Sequence, residues 1–196
     1  VVVPIPDSGV PAAIGYSQKS GVPFELGIIR NHYVGRTFIE PEQRIRALGV
    51  KLKHSANRGV IRGKRIILID DSVVRGTTSK KIVELMYEAG AKEVHMRIAS
   101  PPITHPDYYG IDTPHRSDLL AANFDLEGMR AFMGATTLAF LSVDGIYRAV
   151  GHDARDPYAP QFTDHCFTGH YPTQLVDQNG DRDSAPRQLS LLAEVM

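Results

Sequence analysis

Residues 65–79, Arg-Ile-Ile-Leu-Ile-Asp-Asp-Ser-Val-Val-Arg-Gly-Thr-Thr-Ser, constrain this chain more than any other stretch. Ile66, Ile67, Leu68 and Ile69 form an unbroken apolar run between a cation and two carboxylates, Asp70 and Asp71. Such a run predicts a parallel strand buried on both faces. A turn rich in Gly, Thr and Ser follows. Then Ile82, Leu85, Met86 and Ala89 recur at helical spacing, up to a stop at Gly90. Both acids therefore fall at the carboxyl end of a strand, where open parallel sheets bind their ligands. Backbone amides from Arg75 to Ser79 and the helix dipole favour a phosphate there, the dipole alone by about 0.3–1 kcal/mol. Hydroxyls of Thr77, Thr78 and Ser79 add direct donors. No Walker loop and no dinucleotide fingerprint occurs in the chain.

A second unit of the same kind opens the chain. Residues 1–5 (Val-Val-Val-Pro-Ile) read as a strand, residues 6–9 (Pro-Asp-Ser-Gly) as a turn, and residues 11–19 as a helix with Pro in its first turn. Two sets of helix-terminal amides are thus expected at one edge of the sheet. Strands are further expected at 24–29, 93–99 and 137–141, short helices at 117–122 and 126–133, and a final helix or turn at 143–150. Asn123 or Asp125 is expected to cap the middle one. The stretch 44–65 carries Arg44, Arg46, Lys51, Lys53, Arg58, Arg62, Lys64 and Arg65 with no acid among them. So long and cationic an insertion suits a lid over a polyanion. The expected fold class is α/β, a mainly parallel twisted sheet flanked by helices.

Lys+Arg and Asp+Glu balance at 22 each, which supplies no general attraction for nucleic acid or anionic membrane. No apolar run reaches the roughly 18–20 residues that span a bilayer, and one cysteine excludes an internal disulfide framework. A cytoplasmic protein is the expectation. The opening in a core strand without an initiating Met is read as a piece of a longer protein. The polar stretch from 177 to 196 is read as a tail.

The strand, acid pair and hydroxyl loop resemble the phosphoribosyl pyrophosphate (PRPP) motif of type I phosphoribosyltransferases. Four segments narrow the resemblance: 6–9; Asn31 with Tyr-Val-Gly-Arg-Thr-Phe-Ile at 33–39; 70–79; and Cys-Phe-Thr-Gly-His-Tyr-Pro-Thr at 166–173. In this order they are similar to the C-terminal domain of the amidophosphoribosyltransferase family, over residues 1 to about 175. The resemblance implies a phosphoribosyltransferase domain over 1–176, without the family's glutaminase domain. It implies Mg²⁺-dependent displacement of the pyrophosphate of PRPP by ammonia, the opening step of purine synthesis. At most ammonia-dependent activity is expected of the piece. A homo-oligomer and purine nucleotides as inhibitors are also implied.

Roles follow residue by residue from the same resemblance. Ser72, Val73 and Val74 would contact PRPP, and Arg75, Gly76, Thr77, Thr78 and Ser79 would hold its 5-phosphate. Asp70 and Asp71 would hold the ribose hydroxyls and, with Ser8, the metal. Asp7, Ser8, Gly9 and Arg36 would grip pyrophosphate, with Tyr33 on the ammonia path. Arg30 and His32 stand where Lys and Arg are common. Two other readings are weighed: a base-salvage phosphoribosyltransferase, which needs a base-recognising hood not found here, and a non-catalytic PRPP sensor on nucleic acid, which needs a basic face.

His152, Asp153, His165, Cys166 and His170 suggest zinc, but their spacing matches none of the usual ligand pairs. Some family members hold a [4Fe–4S] cluster through four cysteines. Cys166 occupies one such position, while Asp107 and Thr163 stand at two others, so no iron–sulfur cluster is expected. Cys166 is read as an inert, partly buried thiol.

Overall fold

The computed structural model describes residues 1–31, 54–111, 113 and 115–175. Its centre is a four-stranded parallel sheet of β1 (Val2–Pro4), β4 (Arg65–Asp70), β5 (Glu93–Ile98) and β6 (Thr137–Phe140), in the order β1-β4-β5-β6. β4 pairs with β1 through Val3↔Leu68 and with β5 through Leu68↔Met96. A small antiparallel pair, β2 (Ile28–Arg30) and β3 (His54–Ala56), stands beside it.

Alternation along the strands decides which face is covered. Ile66 and Leu68 of β4 and Val94, Met96 and Ile98 of β5 are almost fully buried. They pack with Ile82, Val83 and Met86 of α3 (Thr77–Glu88) and Met129 and Met133 of α5 (Leu126–Met133). At about 1.5–3 kcal/mol for each fully buried large apolar side chain, this layer is the main source of stability. On the other face Val2 and Ile69 pack against Ala13 of α1 (Val10–Ser20). That face turns polar along β5, where Glu93, His95 and Arg97 are only half-buried.

The remaining described helices are short: α2 (Arg58–Ile61), α4 (Leu120–Asn123), α6 (Val143–Ala149) and α7 (His165–Thr168), with a 3₁₀ turn at Arg116–Asp118. Asp125 caps α5, accepting from the amide of Gly128 at 2.7 Å. The helix expected at 117–122 is broken at Leu119, which is extended and fully buried. The strand expected at 24–29 is reduced to a bridge between Phe24 and Val2, followed by β2. The expected tail from 177 onward and most of the expected lid lie outside the described residues.

Candidate functional site

Because the four central strands are parallel, the loops that leave β1 and β4 meet at one edge. The 6–9 turn is seated on the end of β4: Ile5 donates its amide to the Ile69 carbonyl at 2.8 Å, and Gly9 donates to Ile5 at 3.0 Å. A Cβ on Gly9 would come within 2.5 Å of the Ile69 carbonyl oxygen. Only glycine lets this turn lie against the residue that precedes Asp70. Asp7 and Ser8 project from it into solvent, and Asp7 is ion-paired with Arg30 at the end of β2.

Asp70 closes β4 and is 7 % exposed, while Asp71 is open to solvent. The Asp71 amide donates to Asp70 Oδ1 at 3.0 Å, and the Asp70 carbonyl accepts from the Ala99 amide. Burial pushes the Asp70 carboxyl well above the usual carboxylate range, and the neighbouring Asp71 pushes it further. A cationic ligand, or one rich in hydroxyl donors, would relieve that cost.

The loop after the acids ends at Gly76, which has φ +71°. A side chain there would also strike Leu120, whose Cδ2 would lie 2.6 Å from the new Cβ. Leu120 in turn donates its amide to the Val74 carbonyl at 2.9 Å, so α4 backs the loop from outside. α3 then begins at Thr77. Thr77 is exposed, Thr78 half-buried and Ser79 buried, so the two threonines offer the accessible hydroxyls. Arg75 is exposed, with Asp118 3.9 Å away.

The helix starts differ in a telling way. α5 and α6 each have a side-chain cap, from Asp125 and Ser142, and an acid in the first turn. α1 and α3 have glycine at the cap position, no side-chain cap bond and no acid in the first turn. Helices leave their first amides without intrahelical partners. Of the two helices that open at the Asp70 edge, α3 leaves its first amides without a protein partner among the described residues, whereas at the start of α1 Val10 donates to the Asp7 carbonyl and Pro11 has no N–H; the dipoles of both favour an anion.

The structure thus brings together Asp7, Ser8, Gly9, Asp70, Asp71, Ser72, Val73, Val74, Arg75, Gly76, Thr77, Thr78 and Ser79 on neighbouring loops. Val73 is buried at the root of its loop. Tyr33 and Arg36 lie outside the described residues. An apolar groove of about 210 Å³ runs between α6 and the rings of Phe162 and Phe167. It shares no lining residue with this edge, and its apolar walls do not suit a sugar phosphate.

Three side-chain partnerships were not legible in the sequence. One is Asp7 with Arg30. A second is Asp164, which accepts from Tyr147 at 2.9 Å, from Arg155 and from Thr168. Burial raises the Asp164 carboxyl, but these donors outweigh it and hold it below its ordinary value. The third is Asp107 with His165, 2.7 Å apart. Three of the five residues that suggested zinc are divided among these networks: His170 meets Arg155, His152 lies edge-on to Tyr147 and Phe162, and His165 meets Asp107. Burial and the Asp107 charge push the Cys166 thiol up, against a nucleophilic role.

A sequence family described as phosphoribosyl transferase domain matches residues 1–100. The amidophosphoribosyltransferase of Rhizobium etli is 65 % identical over 194 residues, which is 98 % of this chain and 39 % of that protein. The Bacillus subtilis amidophosphoribosyltransferase is 52 % identical over 175 residues, 89 % of this chain and 37 % of its own length. A solved structure of the B. subtilis glutamine PRPP amidotransferase, complexed with ADP and GMP, superposes with a TM-score of 0.78 at 51 % identity. It covers 90 % of this chain and 39 % of that one. The chain therefore spans about two fifths of the length of these relatives.

Proposed function

Because the chain belongs to the phosphoribosyl transferase domain family and is a relative of the amidophosphoribosyltransferases, we propose that it binds PRPP and exchanges its pyrophosphate for ammonia, giving 5-phosphoribosylamine. The observation that carries this reading is the pair of uncapped helix starts flanking Asp70 and Asp71. A sugar with a phosphate at one end and a pyrophosphate at the other suits that arrangement.

In this assignment the amides of Gly76, Thr77, Thr78 and Ser79, with the Thr77 and Thr78 hydroxyls, hold the 5-phosphate. Asp70 and Asp71 accept from the ribose hydroxyls. Asp7, Ser8 and Gly9 border the pyrophosphate, joined by Arg36. Breaking the anomeric C–O bond leaves positive charge on the sugar, as in glycoside cleavage. In this assignment the Asp70 and Asp71 side chains would face the side where that charge develops and stabilise it by position. No nucleophilic side chain is required. Ammonia donates its electron pair to the anomeric carbon, pyrophosphate leaves with the bonding pair, and a proton passes to solvent. Tyr33 is assigned to the ammonia path.

Asp70, Asp71 and Ser8 offer only hard oxygen donors, a set that fits Mg²⁺. When bound there, that ion would neutralise charge on the departing pyrophosphate. We assign the phosphoribosyltransferase unit to residues 1–176, with 177–196 as an appendage. ADP and GMP accompany the B. subtilis relative, so purine nucleotides are proposed as inhibitors, and a homo-oligomer as the assembly. No helix among the described residues is long and apolar enough to cross a membrane, and a cytoplasmic location is proposed.

Product analysis after mixing the chain with PRPP, Mg²⁺ and ammonium tests the reading. Pyrophosphate release that depends on ammonium, and is abolished by Asp70→Asn or Asp71→Asn in a folded protein, is expected. Turnover unchanged in both variants would overturn the assignment.

A further inference from the structure

We propose that Leu120 is a positioning residue for the sugar 5-phosphate, acting through Val74 and Gly76 to hold the loop amides where they converge on one anion. The proposal rests on the assignment of that loop to the 5-phosphate. Residues 118–120 meet residues 74–76 side against side. The Val74 carbonyl accepts from the Leu120 amide at 2.9 Å. Arg75 has Asp118 3.9 Å away, a pair too exposed to fix the loop by itself. Gly76 is buried, and a Cβ built on it would lie 2.6 Å from Leu120 Cδ2 and 3.2 Å from Phe132 Cε1. The left-handed turn therefore rests on an apolar floor made by Leu120 and Phe132 of α5. Phe124 stacks on the Phe132 ring, and Lys80 of α3 lies 5.4 Å from its centre.

The brace is held by bonds that do not involve the loop. A helix as short as α4 has little stability of its own. Leu119, fully buried and extended, anchors it at one end. At the other, the Asn123 side-chain amide donates to the carbonyls of Ser117 and Leu119 at 2.8 and 2.7 Å. The Phe124 amide donates to the Leu120 carbonyl at 3.0 Å. Asn123 thus acts on the brace, and through it on the loop.

The loop needs such a wall because of the residue at its pivot. Glycine has no side chain to favour one backbone angle over another, so it adopts φ +71° only as its surroundings dictate. α3 starts at the next residue without a side-chain cap, so the direction of its first amides is set by the loop that delivers them. Several amides bind one phosphate well only when they converge on it. A misplacement of about 1 Å can cost 10²-fold. Leu120 lies under the one joint where that displacement would arise.

Ribose 5-phosphate and pyrophosphate, titrated separately by calorimetry with Mg²⁺ present, read the two loops independently. Leu120→Ala should weaken ribose 5-phosphate binding about 10- to 100-fold and leave pyrophosphate binding unchanged. Leu120→Met, which nearly conserves volume, should restore it. Asn123→Ala leaves the core intact and should weaken ribose 5-phosphate alone, about 2- to 10-fold for the lost hydrogen bonds. Leu138→Ala makes the same truncation in the same core on β6; it should lower the melting temperature and leave both affinities unchanged. If Leu120→Ala does not fold, Asn123→Ala decides. Ribose 5-phosphate affinity that is unchanged in folded Leu120→Ala or Asn123→Ala, while Thr78→Ala weakens it, would overturn the positioning role and leave the phosphate assignment standing. Equal weakening of both ligands in Leu120→Ala would also overturn it, as general loosening. Unchanged affinity in Thr78→Ala as well would overturn the assignment itself.

Discussion

Burial, and then the neighbouring Asp71, disfavour the charged form of a carboxyl group as enclosed as that of Asp70. Its folded pKa lies above the unfolded one, so the folded state binds the extra proton. Stability from this group is present at low pH and declines as pH rises from the ordinary carboxylate range through the raised folded value. Asp70→Asn removes the charge while keeping an oxygen for the Asp71 amide. The unliganded variant is expected to melt higher than wild type at pH 7, with the gap closing below pH 4. At roughly 2–4 °C per kcal/mol for a protein of this size, calorimetry resolves such a gain. An equal or lower melting point at pH 7 would refute the account of Asp70. Thr78 makes the opposite test: its residue is half-buried, and its hydroxyl is assigned to the proposed ligand. Losing one hydrogen bond to a charged group costs about 1.5–3 kcal/mol, so Thr78→Ala should weaken PRPP binding roughly 10- to 100-fold. Titration calorimetry reads this directly, and unchanged affinity would remove Thr78 from the site. At this scale the sequence exposed residues adjacent in the chain, Asp70 with Asp71 and Thr77 with Thr78. It concealed Asp7–Arg30 and Asp107–His165, because pairs so distant in sequence become neighbours only through the fold.

Elements were legible where their signal was local. α3 and α5 announced themselves by apolar spacing, the stop at Gly90 and the cap at Asp125. β3 and α2 hid in the cationic insertion, since three- and four-residue elements depend on tertiary partners: β3 on β2, and α2 on the wholly buried Ile61. The expected helix at 117–122 failed because burial of Leu119 and the bond from Leu120 to the Val74 carbonyl outweigh helix propensity. The loop itself depends on Gly76. Gly76→Ala would force a left-handed backbone on an L-residue, at about 1–2 kcal/mol, and would also press its Cβ against Leu120. A loss of about 1–3 kcal/mol is expected by urea denaturation, together with weaker PRPP binding. Gly15→Ala is the matched control. That glycine lies within α1 with nothing within 4 Å of an added Cβ, and alanine should add about 0.5–1 kcal/mol there. If both substitutions changed stability in the same direction, the strain assigned to Gly76 would be wrong.

At the scale of the molecule, the parallel sheet brings two separate loops to one edge, where the proposed two-loop receptor would form. β1 and β4 pair in register, Val3 beside Leu68 and Pro4 beside Ile69, so the turn after β1 and the acids after β4 emerge side by side. This juxtaposition follows from strand order, which no single segment of sequence reveals, although each segment predicted its own half. A ligand bridging both loops binds only the folded chain and must therefore stabilise all of it. PRPP at 100 times its dissociation constant, with Mg²⁺, should add about 2.7 kcal/mol, or roughly 5–10 °C in Tm. At the same PRPP concentration Thr78→Ala, binding 10- to 100-fold more weakly, should gain only about 0.4–1.4 kcal/mol. Thermal denaturation with and without PRPP measures both. Equal shifts in wild type and variant would mean that the ligand binds without the α3 start, and the two-loop receptor would have to be abandoned.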